Sequence, residues 1–319
     1  VIVPCISDFI EFFGKAVTLT LMIVLFVRRG SVSIFTATAV SITLGEAASC
    51  IFLSFSYAKA KLPKCSDAAT IPSFPKFIKA IFPIVASAYI FVLLSGANEA
   101  LVPLTLKSFS GSSETALAEY GIFEGIIMPV IFFPSVMLQS LSCILVPEIA
   151  RESKAGNDDN VREICSRTIS QAFGTAFIAA AFLFVFGGEI GAILSDNPLA
   201  ADTLKILCPV IPFIYLEMVL EGILKGLGKQ NFCTVNSTAE YVIRITCVML
   251  FVRVIGFYGI VISYFASNIT CNLIRIIAVH KTVGLKFNFI GNILVPAFSA
   301  GIAVQLSLLL KGAIGAAGI

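Results

Sequence analysis

Residues Tyr120–Glu152, YGIFEGIIMPVIFFPSVMLQSLSCILVPEIARE, decide the fold. A helix rises about 1.5 Å per residue, so the roughly twenty-five apolar-dominated residues here suffice to cross a hydrocarbon core about 30 Å thick. Pro129 and Pro134 lie inside the run and predict kinks, and the run ends abruptly in the charged Glu148–Glu152 segment. Glu124, Ser135, Gln139 and Ser142 recur at intervals that a regular helix sets along one face. The stretch therefore predicts a kinked transmembrane helix with one wet side.

The whole chain repeats this chemistry. Mean hydropathy is +0.98, with 58% hydrophobic and only 13% charged residues, where a soluble domain carries about 25% charged. The fold class that follows is all-α, a polytopic transmembrane helix bundle. A formal net charge of +3 is too small for a nucleic-acid binder, so no nucleic-acid partner is expected. The nine cysteines form no CxxC, and His280 is the only histidine. Cys50, Cys143, Cys208, Cys247 and Cys271 fall inside apolar runs, where a thiol acts as a small hydrophobe, so neither a metal site nor a disulfide is expected. Tryptophan is absent, leaving seven tyrosines and some phenylalanines for any interfacial belt.

Apolar windows place about nine spans, near 4–27, 32–57, 79–106, 118–147, 170–188, 200–223, 233–254, 257–279 and 289–310. The connection 58–78 carries Lys59, Lys61, Lys64 and Lys76 with Pro63, Pro72 and Pro75, the composition of a linker between two bundles. Lysine and arginine crowd alternate connections. One set holds Lys59 to Lys79, Arg151, Lys154, Arg162, Arg167, Lys225, Lys229, Arg275, Lys281 and Lys286, while the other holds Arg28, Arg29, Lys107, Arg253 and Lys311. The positive-inside rule puts 58–78, 148–169 and 280–288 in the cytoplasm, with Arg28 and Arg29 the exceptions. No opposite-side connection is long enough for a soluble domain.

An internal repeat enlarges the architecture. Glu11 and Lys15 precede Leu25-Phe26-Val27-Arg28, and Glu240 and Arg244 precede Leu250-Phe251-Val252-Arg253. Six helices separate the copies, an even number, so both share one orientation, as in parallel-repeat transporters. The second copy then occupies the third to eighth spans, and the first lacks its opening four helices. The chain begins at Val1 without a signal-peptide pattern.

A charge at the bilayer centre costs about 2.5–3.5 kcal/mol on insertion scales, so each intramembrane charge requires a partner or water. Glu11–Lys15 and Glu240–Arg244 have the i,i+4 order that favours a helical ion pair. One reading is mutual neutralisation near the interface; the other is a pair of vestibule linings. In the eighth span Tyr264, Asn268, Asn272 and Arg275 form a stripe. Asparagines there can join helices, and an arginine at its end suits a phosphate or pyrophosphate. Asn98 and Glu99 mark the outer half of the third span, and Glu217 and Glu221 lie one turn apart in the sixth. Glu46 stands alone, and Lys205 can snorkel. GxxxxGK[ST], GxSxG and HExxH are all missing, and Gly226-Leu227-Gly228 lacks the strand of a dinucleotide loop. No catalytic residues and no cofactor are expected, and the chain does not read as an enzyme.

Several stretches carry a family resemblance. They are Tyr120-Gly121-Ile122 followed by Pro129 and Pro134, Leu145-Val146-Pro147-Glu148-Ile149 with Glu152, and Gly222 to Lys229; Gly45-Glu46 and Val102-Pro103 also fit. With these the chain resembles the multidrug/oligosaccharidyl-lipid/polysaccharide flippase superfamily, most closely its stage V sporulation protein B-like polysaccharide transporters. The resemblance implies a MATE-like, two-lobed bundle of six plus six helices that works by alternating access on a lipid-linked glycan. On that mapping 1–57 hold the last two helices of the N-lobe, 58–78 the cytoplasmic inter-lobe linker, 79–280 a six-helix C-lobe and 281–319 a C-terminal tail helix. Four N-lobe helices would precede Val1.

The expected function is a multi-pass flippase of the cytoplasmic membrane that moves a polyprenyl-pyrophosphate-linked saccharide or related cell-envelope precursor. Lys15, Arg244 and Arg275 would meet the anionic headgroup, and Asn98, Gln139, Asn268 and Asn272 the sugar. The alternative within the superfamily is a multidrug exporter coupled to H+ or Na+ through Glu99, Glu124 or Glu217. A membrane glycosyltransferase on the same carrier would need a sizeable external loop with catalytic acids. A non-transporting scaffold for cell-wall or spore-envelope assembly would tolerate loss of every intramembrane charge.

Overall fold

A computed structural model describes residues 2–27, 33–59, 74–284, 291 and 294–316. The chain forms two compact units, Val1–Ser73 and Phe74–Ile319. Arg28, Arg29, Lys61, Lys64, Lys286 and most of the expected linker lie outside the described residues.

The first unit is a helical hairpin. Helix α1 (Ile2–Met22) runs on through a π turn, Ile23–Val27, and α2 (Ile34–Lys59) packs against it. Small residues set their distance: a Cβ on Gly45 would meet Glu11 O at 2.9 Å and the Lys15 side chain closer still. Ser7 Oγ and Ser49 Oγ share a hydrogen bond of 2.7 Å across the contact.

In the second unit α3 (Phe74–Ser110) leads to α4 (Ser113–Ile122), whose N-cap Ser112 accepts from Thr115 N–H. The decisive stretch forms a 42-residue rod from Ser113 to Lys154, bent rather than broken. A π turn (Phe123–Ile127) precedes α5 (Met128–Phe132), and a 3₁₀ turn (Phe133–Ser135) precedes α6 (Val136–Lys154). Met128 N–H reaches back to Phe123 O, and Ser135 Oγ donates to Phe132 O at 2.7 Å. Widening before Pro129 and tightening at Pro134 absorb two positions that cannot donate to the helix ladder. Tyr215 OH, fully buried, donates to Ile131 O at 2.8 Å and so satisfies a carbonyl of the irregular stretch.

These turns correct the expected single wet face, because each changes the angular register of everything after it. Gln139 faces a cavity, Ser135 is buried, and Ser142 Oγ donates to Met218 O at 2.9 Å.

Helix α7 (Asp158–Leu194) follows, then α8 (Pro198–Leu207) joined through a 3₁₀ turn at Pro209 to α9 (Ile211–Gly226). After α10 (Gln230–Cys247), a π turn (Val248–Val252) and the short α11 (Arg253–Ile255) reach α12 (Tyr258–Val283), and α13 (Val295–Ala316) closes the described chain. Gly256, at φ 61°, turns α11 into α12 where the Phe109 ring fills the space of a Cβ. Close packing again rests on small residues. A Cβ on Gly191 of α7 would meet Ala201 Cα of α8 at 2.6 Å, and one on Gly222 of α9 would collide with the Ser142 side chain of α6. The core therefore sits where α6, α7 and α9 meet, with Leu145, Ile149, Ile169, Leu216, Leu220 and Ile223 among its buried members.

All nine expected spans correspond to helical rods among the described residues, seven of them long and apolar enough to cross a membrane. The exceptions are α10, which carries Glu240 and Arg244, and α13, whose apolar stretch is Val295–Leu309. Two helices start earlier than hydropathy marks them. Helix α7 begins at Asp158, where Asp158 and Asp159 favour a helix N-terminus, and α3 begins at Phe74 inside the expected linker. No disulfide occurs among the described residues.

Candidate functional site

Polar residues of α9, α10 and α12 converge inside the second unit. On α10, Gln230, Thr234, Ser237, Tyr241 and Arg244 recur every four and three residues, which puts them on one helical face. That face forms part of a cavity of about 540 Å³, whose other walls are Phe91 and Val92 of α3, Phe132 of α5, Gln139 of α6, and Ile214, Glu217, Met218, Glu221 and Lys225 of α9.

Ion pairs span the inner wall. Arg244 Nη2 donates to Glu240 Oε1 at 2.7 Å, and its Nε donates to Ser267 Oγ at 3.2 Å. The guanidinium lies 4.1 Å from the Tyr264 ring centre and 5.2 Å from that of Tyr241, cation–π contacts that hold it in place. Behind this wall, Arg275 of α12 has no exposed surface. Its Nη2 lies 3.0 Å from Glu217 Oε1 and 3.2 Å from Glu240 Oε2, and also donates to Ser237 Oγ at 3.2 Å. One arginine thereby ties α9 and α10 to α12. Toward the end of α9, Lys225 Nζ and Glu221 Oε1 pair at 2.8 Å. Within this network every lining base contacts a carboxylate, which low dielectric demands: an unpaired buried charge is severely penalised, and a paired one is held in a fixed geometry.

The candidate residues separate accordingly. Gln139, Glu217 and Arg244 line the cavity, and Arg275 stands directly behind it. Its lack of exposure and its two carboxylate partners make Arg275 a brace of the wall, in place of the open headgroup contact expected from the stripe. Asn268 and Asn272 lie off the cavity; each amide donates to a carbonyl of its own helix, to Tyr264 O at 3.0 Å and to Asn268 O at 2.9 Å. Asn98 is buried in α3, where its Oδ1 has no partner among the described residues. Glu99 is exposed and accepts from Ser95 at 3.3 Å, and Tyr264 OH approaches Glu124 at 3.5 Å. Lys15 belongs to the first unit, 2.6 Å from Glu11 and 3.7 Å from Glu46, which gives Glu46 a partner the sequence had not indicated.

Phe91, Phe132, Tyr241, Glu221 and Lys225 are lining residues that sequence reasoning missed as site residues. For α10 the signal was present in the four-and-three spacing from Gln230 to Arg244. Phe91 and Phe132 are single aromatics in apolar runs, with nothing local to distinguish them. No group of three or more histidine, cysteine or acidic residues able to hold a metal occurs among the described residues.

The second unit is thus a helical bundle, most of whose helices are long and apolar enough to cross a membrane, with an ion-paired cavity. Residues 92–250 match the MatE family, a segment that contains every cavity-lining residue except Phe91. The chain belongs to the multidrug/oligosaccharidyl-lipid/polysaccharide flippase superfamily and is a multi-pass membrane protein. It is similar to stage V sporulation protein B of Bacillus subtilis (strain 168), 20% identical over 220 residues that cover 67% of this chain and 42% of that protein. It is also similar to sporulation protein YkvU of the same organism, 25% identical over 128 residues, covering 40% of this chain and 29% of that protein. The chain thus spans less than half the length of the curated relatives it matches. No solved structure matches it.

Proposed function

We propose that the protein takes part in translocating a lipid-linked oligosaccharide or related cell-envelope precursor across the cytoplasmic membrane by alternating access. The observation that carries this reading is the cavity of α3, α6, α9 and α10: a chamber of about 540 Å³ lined by charged, amide and aromatic side chains, with its charges neutralised in place. Desolvated ion pairs around a chamber suit a passenger that is itself polar. Relatives named for sporulation support a cell-envelope cargo, since a spore needs new envelope. In this reading the unit Phe74–Ile319 is the C-lobe with its tail helix, and α1 and α2 are the last helices of the N-lobe.

The coupling ion belongs to the same proposal. Glu124 receives Tyr264 OH and lies within electrostatic reach of Glu99 and Tyr120. Two carboxylates in the membrane, with the buried Asn98 Oδ1 unpartnered among the described residues, offer oxygen ligands for H+ or Na+.

The test is movement of a fluorescent polyprenyl-pyrophosphate-linked oligosaccharide in proteoliposomes under imposed proton or sodium gradients. Gradient-driven movement, uncoupled by Glu124→Gln, is the expected result. Movement of tetraphenylphosphonium in place of the lipid would assign the multidrug branch. If neither probe moves, the transport reading is overturned in favour of a scaffold.

A further inference from the structure

We infer that the cavity of the second unit holds the uncharged sugar rings of the substrate and leaves the anionic linkage to another surface. This rests on the lipid-linked saccharide reading and divides the recognition within it.

Charge excludes the linkage first. The carboxylates that line the cavity are Glu217, Glu221 and Glu240, and the bases are Lys225 and Arg244, with Arg275 behind them. Three acids face three bases, and each base is already in contact with an acid: Lys225 with Glu221 at 2.8 Å, Arg244 with Glu240 at 2.7 Å, and Arg275 with both Glu217 and Glu240. A pyrophosphate entering here would have to strip an arginine from its carboxylate and leave that carboxylate unpaired beside it. A lipophilic cation meets the same neutral balance with the sign reversed.

The remaining chemistry suits a sugar. Phe91 and Tyr241 meet edge to face at 5.2 Å and, with Phe132, give the cavity aromatic surface. A pyranose presents C–H groups on its faces and hydroxyls around its edge. The C–H faces pack on aromatic rings, whose π clouds are negative. The hydroxyls need acceptors, and they are available. Glu217 and Glu221 each use Oε1 in an ion pair, leaving Oε2 to accept. The side-chain amides of Gln139 and Gln230 have no protein partner among the described residues, so each offers two donors and an acceptor. The volume lies within the roughly 300–1,000 Å³ usual for small-molecule sites.

The experiment is equilibrium binding to the full chain in phosphatidylcholine nanodiscs. Its probes are radiolabelled polyprenyl-pyrophosphate carriers that bear a hexose, an N-acetylhexosamine or a hexuronic acid disaccharide, or no sugar. At least one uncharged disaccharide should tighten binding roughly ten-fold over the bare carrier, about the worth of one or two good polar contacts. Tyr241→Ala should abolish that gain while leaving bare-carrier affinity within about two-fold, and Gln139→Ala should erase part of it. Tyr241→Phe, which keeps the ring, should retain it and serves as the folding control, with helicity by circular dichroism. Equal binding of bare and sugar-bearing carriers overturns the inference, as does an unaltered preference in Tyr241→Ala or no binding of any sugar-bearing carrier. Transport that ignores the sugar would sink the inference and leave the translocation reading standing; sugar-selective binding without movement would do the reverse.

Discussion

Two helical hairpins of this protein share one chemical pattern and differ in its fate. On α1, Glu11 and Lys15 pair at i,i+4 with 2.6 Å between them, and a π turn follows over Ile23–Val27. On α10, Glu240 and Arg244 pair at i,i+4 with 2.7 Å between them, and a π turn follows over Val248–Val252. Each pair takes a third charged residue from the next long helix: Glu46 of α2, 3.7 Å from Lys15, and Arg275 of α12, 3.2 Å from Glu240. The side chains of Glu11, Lys15 and Glu46 are 34%, 32% and 62% exposed, whereas those of Glu240, Arg244 and Arg275 are 6%, 9% and 0% exposed. Around α10 and α12, further helices cover the cluster, and α9 brings Glu217 to complete it. An acid and a base at the same spacing are thus an adaptable surface pair in one hairpin and a fixed structural brace in the other. Burial and the number of partners decide which.

Removing the brace should have the largest effect. Arg275→Ala leaves Glu217 and Glu240 facing each other without their shared cation, and breaking a buried pair in this way costs about 3–5 kcal/mol. Thermal unfolding in detergent micelles, followed by helical circular dichroism, should show a large drop in midpoint. Replacing the pair together, as Arg275→Met with Glu217→Leu, should recover most of it, because Glu240 keeps Arg244 as its partner and apolar substitutes relieve the desolvation penalty. A mild Arg275→Ala phenotype would break the comparison by showing the cluster to be hydrated.

The next effect is steric. Gly222 lets α9 approach α6 until the Ser142 side chain occupies the space of a Cβ. Gly222→Leu should cost about 1–3 kcal/mol as an overpacking change and separate Gln139 from the α9 side of the cavity. A cysteine pair placed on α6 and α9 would report that separation through its cross-linking yield. An unchanged yield would mean the glycine contact does not set the width of the chamber.

Much of the fold was legible because a bilayer needs long apolar runs, and the nine runs in this sequence are separated by charge and proline. The limits of α7 and α3 were hidden, because helix continues past the apolar window wherever charged residues tolerate it, as at Asp158 and Asp159. The π turns were hidden too, since Ile23–Val27 and Val248–Val252 are ordinary apolar residues whose hydrogen-bond shift leaves no compositional mark. The π turn over Phe123–Ile127, equally unmarked, together with the 3₁₀ turn at Pro134, undid the face assigned to Glu124, Ser135, Gln139 and Ser142. The site was half legible. Arg244, Gln139 and Glu217 were found because polar residues inside apolar runs stand out. Asn268 and Asn272 stood out as strongly, yet their amides turn back on α12 itself, and spacing alone cannot distinguish a lining amide from one bonded to its own helix.

The smallest expected effect provides the sharpest control. Lys15→Ala removes a cation from between Glu11 and Glu46, the same formal operation as Arg275→Ala, but at a site where water or lipid headgroups can replace the lost partner. The unfolding midpoint of Lys15→Ala should stay within the scatter of repeated melts. Salt should matter as well: exposed pairs are screened within about 10 Å at 0.1 M ionic strength, so any shift should vanish as salt rises, whereas that of Arg275→Ala should persist. If Lys15→Ala instead destabilises as Arg275→Ala does, independently of salt, the α1 and α2 cluster is covered in the working protein by a partner of its own. The two hairpins would then be alike in burial as well as in sequence, and Lys15 would be a brace and not an anion contact.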